Sequence, residues 1–248
     1  MIFAAGLGTR LKPLTDTRPK ASVSVGQKPL LWHVVMKLKQ AGFTRVIVNV
    51  HHHAQQIIDY LAQNHNFGLD ISISDESAGL LDTGGAIKRA LPLIDVESHL
   101  LIHNVDILSN VNLQKFYRTA IESNCQALLL VSRRQTTRYL LFDNYIQDNC
   151  FRLKGWVNTT TGETRPDTLS TEQGATLQKL AFAGIHVLSP QFFQMFNTMP
   201  DRFSIIDFYL KMCNQCTLLG YEQDNLQLMD VGKLDTLHQA NDFLKQLS

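Results

Sequence analysis

No apolar run in this chain of 248 residues approaches the roughly 18 residues that a membrane-spanning helix needs. The first residues enter an apolar strand pattern without the composition of a cleavable leader, so a cytoplasmic location is expected. Charge of one sign is also lacking. Lys plus Arg number 23 against 22 for Asp plus Glu, a net charge of +1. That balance removes any argument for the basic face that a nucleic acid or an anionic lipid surface would require. The expected partner is a small molecule, with no nucleic acid and no membrane.

Cysteine is scarce. Cys125, Cys150, Cys213 and Cys216 have no framework spacing, and reduced thiols are expected. Cys213-x-x-Cys216 has neither a second pair nor a histidine cluster beside it, and it lies in an apolar helical segment. It reads as helix packing rather than a metal site. Linker-like stretches are absent too, so 44% hydrophobic content points to one α/β domain over residues 1–248. No periodic repeat follows residue 230.

What is present is an alternation of strand and helix patterns. Leu30, Leu31, Val34, Val35 and Leu38 recur at helical spacing until Gly42 ends the run. Arg45 to Val50 is a β-branched strand, and Ala54 to Gln63 is again helical. Such a rhythm implies a parallel sheet with covering helices, because parallel strands need crossovers. A third strand is expected near Leu69 to Ser74, others at Leu100 to Asp106, Leu128 to Val131, Leu177 to Leu188 and Leu228 to Asp230, and a last helix from Leu234 to Leu247. Residues from Leu153 through Thr176 read as a less regular substrate-side insertion, rich in Thr, Gly, Asp and Asn.

Three features suggest ligand chemistry. After the first strand, Gly6 and Gly8 supply a turn of bare N–H groups, and Arg10 and Lys20 follow within one loop, a donor surface suited to polyphosphate. Alone, Gly6-x-Gly8 marks only a turn: Leu11 stands where the dinucleotide fingerprint has its third glycine, and no Gly-Lys-Ser or Gly-Lys-Thr follows. His51-His52-His53 follows the second strand, and consecutive strand residues alternate faces, so all three cannot converge on one ion. They are expected to form a polar loop lining the cleft. Asp106, at a strand end, is suited either to a turn or to holding Mg²⁺ against phosphate oxygens. Thr83 is expected to cap a helix opened by Gly84 and Gly85.

The string Ala4-Ala5-Gly6-Leu7-Gly8-Thr9-Arg10-Leu11-Lys12-Pro13-Leu14-Thr15, with Pro19-Lys20, resembles the signature of the sugar-1-phosphate nucleotidyltransferases. The likeness runs along nearly the whole chain and is closest to the short single-domain members. It implies an α/β fold of the nucleotide-diphospho-sugar transferase type: three Rossmann-like layers, with a mixed, mostly parallel sheet and helices on both faces. It implies an enzyme that joins an NTP to a sugar 1-phosphate, with uridylyl or guanylyl transfer expected, as a monomer or small homo-oligomer.

By the same resemblance Arg10 and Lys20 hold phosphate and act catalytically. Ala4, Ala5, Gly6, Gly8, Thr9, Thr83 and Gly84 bind the nucleotide, Gly184 and Trp156 border the sugar, and Asp106 and Asp230 bind Mg²⁺. Departures are visible. Asp82 replaces a common glutamate, Val105 replaces a glycine before the metal aspartate and so bears on the sugar side, and the Glu-Lys-Pro motif is absent, leaving Lys154 or Lys179 as substitutes. Val105 and the missing motif support a competing reading as a non-catalytic nucleotide-sugar-binding regulator; retention of both cations and both aspartates argues against it.

Overall fold

The computed structural model describes residues 1–147, 149–169, 174 and 176–247. Strand β1 (Ile2–Phe3) leads into a long loop, a small ribbon of β2 (Ser24–Val25) and β3 (Lys28–Pro29), and helix α1 (Leu30–Gln40). The alternation continues through β4 (Arg45–Val50), α2 (Ala54–Gln63), β5 (Asp70–Asp75), α3 (Asp82–Ala90) and β6 (Leu100–Asn104). Then come β7 (Ile107–Ser109), α4 (Leu113–Glu122), β8 (Ala127–Ser132), β9 (Arg138–Gln147), β10 (Cys150–Asn158), β11 (Thr164–Arg165) and β12 (Gln178–Leu188). The chain closes with α5 (Pro190–Phe193), α6 (Ile205–Met212), β13 (Leu218–Glu222), β14 (Leu228–Asp230) and α7 (Leu234–Leu247).

The main sheet has the order β11-β10-β13-β8-β12-β6-β1-β4-β5, with β9 pairing β10 and β12. β5, β4, β1 and β6 are mutually parallel, and so are β13 and β8. β12 runs between β6 and β8 against both, so these six strands all point one way. Their carboxyl ends therefore share one edge, the edge at which open α/β sheets bind ligands.

Two apolar clusters sandwich the sheet. Consecutive residues of β8 divide between them: Leu128 and Leu130 face the cluster of α1, α2, α4 and α7, while Ala127, Leu129 and Val131 face that of α3, α5 and α6. That division is why the strand is apolar throughout. In α1 the buried residues Leu30, Leu31, Val34, Val35 and Leu38 form one stripe, each such side chain stabilising the fold by about 1.5–3 kcal/mol. Cys213 and Cys216 lie in the second cluster. Among the described residues no helix is long and apolar enough to cross a membrane.

The expected irregular insertion is corrected in part. Its first residues belong to β10, which pairs with β9 in a long antiparallel ladder from Asn158↔Arg138 to Cys150↔Gln147. Bulges break that ladder's register, so no clean alternation was available to read. Residues 170–173 and 175 of the segment lie outside the described residues.

Two buried histidines give the fold a pH dependence. Burial pushes His103 down to about 4 and His186 to about 3. His103 Nδ1 faces the Asn104 carbonyl at 2.8 Å and must donate to it, leaving Nε2 buried without a partner. Below the ordinary value of 6.5 the unfolded chain binds a proton at each ring and the folded chain does not. Stability is therefore expected to fall as pH drops through that window, by about 1 kcal/mol per histidine per pH unit. Urea unfolding of wild type and His103→Gln between pH 6.5 and 5 measures it; equal slopes would remove His103 from the account.

Candidate active site

The loop after β1 is held from below. Asn49 on β4 accepts hydrogen bonds from the Ala4 and Ala5 N–H groups at 2.7 and 3.3 Å, and donates its amide to Glu76 Oε1 at 2.7 Å. The other Glu76 oxygen accepts the Leu81 N–H at 3.3 Å. Burial raises the Glu76 carboxyl, and the hydrogen bonds from Asn49 and Leu81 oppose that rise.

The two glycines of the loop differ in their work. Gly8 has φ 64°, and a Cβ there would lie 2.8 Å from the Thr15 methyl and 3.1 Å from Lys20 Cβ. Its carbonyl accepts the Thr15 hydroxyl at 2.9 Å. Gly8 thus closes the loop on itself and brings Lys20 up to it. Gly6, by contrast, has nothing within 4 Å of where its Cβ would be, so a ligand can approach the main chain there. Thr9 and Arg10 are exposed on the following 3₁₀ turn.

Four charged residues meet at the carboxyl edge. Asp106 follows β6, and its carboxylate accepts the Lys20 ammonium, both side chains being nearly buried. β14 lies antiparallel to β7 with Asp230 opposite Ile107, and the Val231 N–H donates to the Asp106 carbonyl at 2.8 Å. Asp230 is raised by burial and then by the neighbouring Asp106 carboxylate, with Lys20 and Arg10 acting in the opposite sense. A Cβ on Gly232 would lie 2.6 Å from Asp230 Oδ1 and 2.7 Å from Arg10 Nη2, so the guanidinium and this carboxylate flank one glycine. Asp230 Oδ1 is buried without a hydrogen-bond partner. Two adjacent carboxylates, one with an orphaned oxygen, suit a hard divalent cation that takes its remaining ligands from phosphate and water.

Beside this cluster is a cavity of about 220 Å³ whose walls include Gly6, Lys20, Asn49, Glu76, Thr83 and Asp106. A cavity of about 570 Å³ opens at the opposite edge around Met1, Arg45 and Leu100, away from every residue of the charged cluster.

The structure corrects several sequence expectations. Thr83 does not cap its own helix, since α3 begins at Asp82; its hydroxyl accepts the Ile205 N–H at 2.9 Å and so caps α6, while Thr83 still lines the cavity. Gly84 is not opened toward a ligand: a Cβ there would lie 2.2 Å from the Phe203 ring, and its N–H donates to the Phe203 carbonyl at 2.9 Å. Trp156 packs on the second apolar cluster under the Arg165 guanidinium, 5.2 Å from the ring centre, and is not on the cavity wall.

Gly184, with φ 75°, lies behind the wall, where its missing Cβ makes room for the Asn104 amide. The three histidines after β4 do not line the cavity; that wall is Asn49 and Glu76. Lys154 pairs with Asp143 at 3.5 Å, and Lys179 is exposed on β12; neither reaches the cavity wall. Val105, expected on the sugar side, lines the same cavity as Ala5, Gly6 and Thr83.

Asn49 and Glu76 were missed. A signal existed: Asn49 is the polar member of the apolar run from Val46 to Val50, and a buried polar strand residue needs partners.

The model of the nucleotidyl transferase family matches residues 1–150. This chain belongs to that family. An N-acetylmuramate α-1-phosphate uridylyltransferase of Neisseria meningitidis is 43% identical over 121 residues, 48% of this chain and 52% of that protein. A protein of the same name from Caulobacter vibrioides is 44% identical over 108 residues, 43% of this chain and 44% of that protein. The chain spans about half the length of the curated relatives it matches.

Among solved structures of nucleotidyl transferases, a UDP-glucose pyrophosphorylase complexed with UDP-glucose superposes with TM-score 0.79 at 17% identity, covering 100% of this chain and 98% of that one. A glucose-1-phosphate thymidylyltransferase from Bacillus anthracis gives 0.80 at 17% identity, covering 100% and 95%. At such identities the likeness establishes the fold: α/β, with a mixed sheet between helical layers.

Proposed function

We propose that the protein joins an NTP to a sugar 1-phosphate, releasing pyrophosphate and giving an NDP-sugar. The observation that carries this is the meeting of Arg10, Lys20, Asp106 and Asp230 at the carboxyl edge, beside the open main chain at Gly6. Such a set suits in-line attack of a sugar-phosphate oxygen on the α-phosphorus, where the protein's task is positioning and charge neutralisation. The loop N–H groups and Arg10 bind the triphosphate. Lys20, held against Asp106, supplies a second cation for the phosphates. Asp106 and Asp230 would hold Mg²⁺, which when bound neutralises phosphate charge and aligns the reacting oxygens. Glu76, fixed by Asn49, gives the nucleoside end of the cavity a buried acceptor.

The identity to the two N-acetylmuramate uridylyltransferases makes UTP with N-acetylmuramate 1-phosphate the first pair to assay, followed by GTP with mannose 1-phosphate. A cytoplasmic enzyme acting as a monomer or small homo-oligomer belongs to the same proposal. Pyrophosphate release across a panel of NTPs and sugar 1-phosphates tests it: release must require both substrates and stop in EDTA. Release from NTP alone, or none with any pair, would defeat it.

Val105 gives a sharper expectation. Val105 is buried in the first apolar cluster and also lies on the wall of the cavity that contains Gly6 and Thr83, so its β-branched side chain anchors the chain beside Asp106. Val105→Gly is expected to change KM for the nucleotide as well as for the sugar phosphate, by several-fold each. Steady-state KM for both substrates decides; a shift in the sugar constant alone would return Val105 to the sugar side.

A further inference from the structure

A third cavity, of about 410 Å³, opens at the carboxyl ends of β8 and β13, on the ligand edge of the sheet but beyond the charged cluster. Its walls include Ser132, Arg133, Arg134, Glu222, Leu226 and Leu228. Leu228 and Asp230 alternate onto one face of β14, so the cavity begins one strand repeat of two residues, ~7 Å, from the Asp230 position. A sugar whose phosphate lies at Asp106 and Asp230 would extend into it.

The two arginines are not equivalent. Arg133 is neutralised by Glu222, whose Oε2 accepts its Nε at 3.1 Å and its Nη2 at 2.9 Å. Arg134 has no acidic partner among the described residues; its Nη2 donates to the Phe182 carbonyl at 3.2 Å, which steadies the guanidinium without neutralising it. Phe182 lies two residues before Gly184, the glycine that makes room for Asn104 on the first cavity's wall. The new cavity is thus two residues along β14 from Asp230, and its Arg134 is held by a β12 residue two before Gly184.

The cavity is also preformed. Its far rim is pinned by Asn110, whose side chain donates to the Asn225 carbonyl at 3.0 Å and accepts the Gln227 N–H at 2.9 Å. Gln223 completes the clamp by accepting the Asn112 N–H at 2.8 Å. An unneutralised guanidinium fork on the wall of an open cavity suits a carboxylate, which accepts two parallel N–H bonds from it.

We propose that this cavity is the far end of the sugar subsite and that Arg134 is a specificity-determining residue for sugar 1-phosphates that carry a carboxylate. The inference rests on the transfer reaction proposed above. A carboxylate-bearing sugar is held there through Arg134 in both ground and transition states, so the effect falls on KM rather than kcat.

The test uses two matched pairs of substrates: N-acetylmuramate 1-phosphate against N-acetylglucosamine 1-phosphate, and glucuronate 1-phosphate against glucose 1-phosphate. Wild type is expected to prefer the acidic member of the pair it accepts. Arg134→Ala is expected to raise KM for that acidic sugar roughly 10-fold, the effect of losing one exposed charge-assisted contact, with kcat and the neutral sugar's KM unchanged. Arg134→Lys should recover part of the loss, since it restores charge but not the fork. Equal changes for acidic and neutral sugars, or none, would overturn the assignment. Turnover of neutral sugars with no acidic preference defeats this inference alone, whereas turnover of no sugar 1-phosphate at all defeats the transfer reaction and the inference with it.

Discussion

Asp106→Asn and Asp230→Asn are each expected to abolish measurable turnover while leaving the fold intact. A divalent cation held between two carboxylates supplies several kcal/mol of charge stabilisation, and at 1.36 kcal/mol per decade its loss is roughly 10³-fold or more in rate. The amides keep side-chain volume and lose charge. Asp230 is raised by burial and by Asp106, so removing its charge relieves repulsion in the metal-free protein. The melting temperature of Asp230→Asn should therefore equal or exceed that of wild type, even as activity disappears. Asp106→Asn instead leaves the nearly buried Lys20 ammonium without its carboxylate, and a lower melting temperature is expected. Turnover within a few-fold of wild type in either variant would remove that residue from the mechanism.

Lys20→Ala and Arg10→Ala are expected to reduce kcat/KM by roughly 10² or more each, comparable with deleting one oxyanion donor. Their second effects differ. Lys20 is the nearly buried cation between the loop and Asp106, so its loss leaves the aspartate pair facing each other with one counter-charge fewer. The magnesium concentration for half-maximal rate should shift in Lys20→Ala. Arg10 is exposed on the 3₁₀ turn, and its removal should weaken NTP binding more than it alters the metal requirement. Metal titrations at saturating NTP separate the two; a variant with unchanged kcat/KM would leave its cation without a role in transfer.

Local chemistry explains which parts of this architecture were legible. α1, β4, α2 and α7 stand where periodicity put them, because each has one apolar stripe or one β-branched run bounded by a breaker. The pairing of Asp106 with Asp230 came from resemblance; nothing in a separation of more than a hundred residues announces that β14 will lie beside β7.

The glycines of α3 answer to contacts that sequence spacing does not show. Gly84 and Gly85 are small because the Phe203 ring and the Asp201 carbonyl, both distant in sequence, occupy the space of their absent Cβ atoms. A glycine's missing side chain is visible in a sequence, but what fills the gap is a tertiary fact. Asn49 and Glu76 illustrate the same limit: each is an ordinary polar residue until the fold buries both beside the loop they hold.

The products of the reaction test nucleotidyl transfer most directly. Phosphorus NMR of the protein with UTP, N-acetylmuramate 1-phosphate and Mg²⁺, repeated with GTP and mannose 1-phosphate, reads them directly. The prediction is the two coupled resonances of an NDP-sugar rising in a one-to-one ratio with pyrophosphate, and their reversal when pyrophosphate is added in excess. Release of orthophosphate or NDP without an NDP-sugar, or unchanged spectra with both pairs, would contradict it.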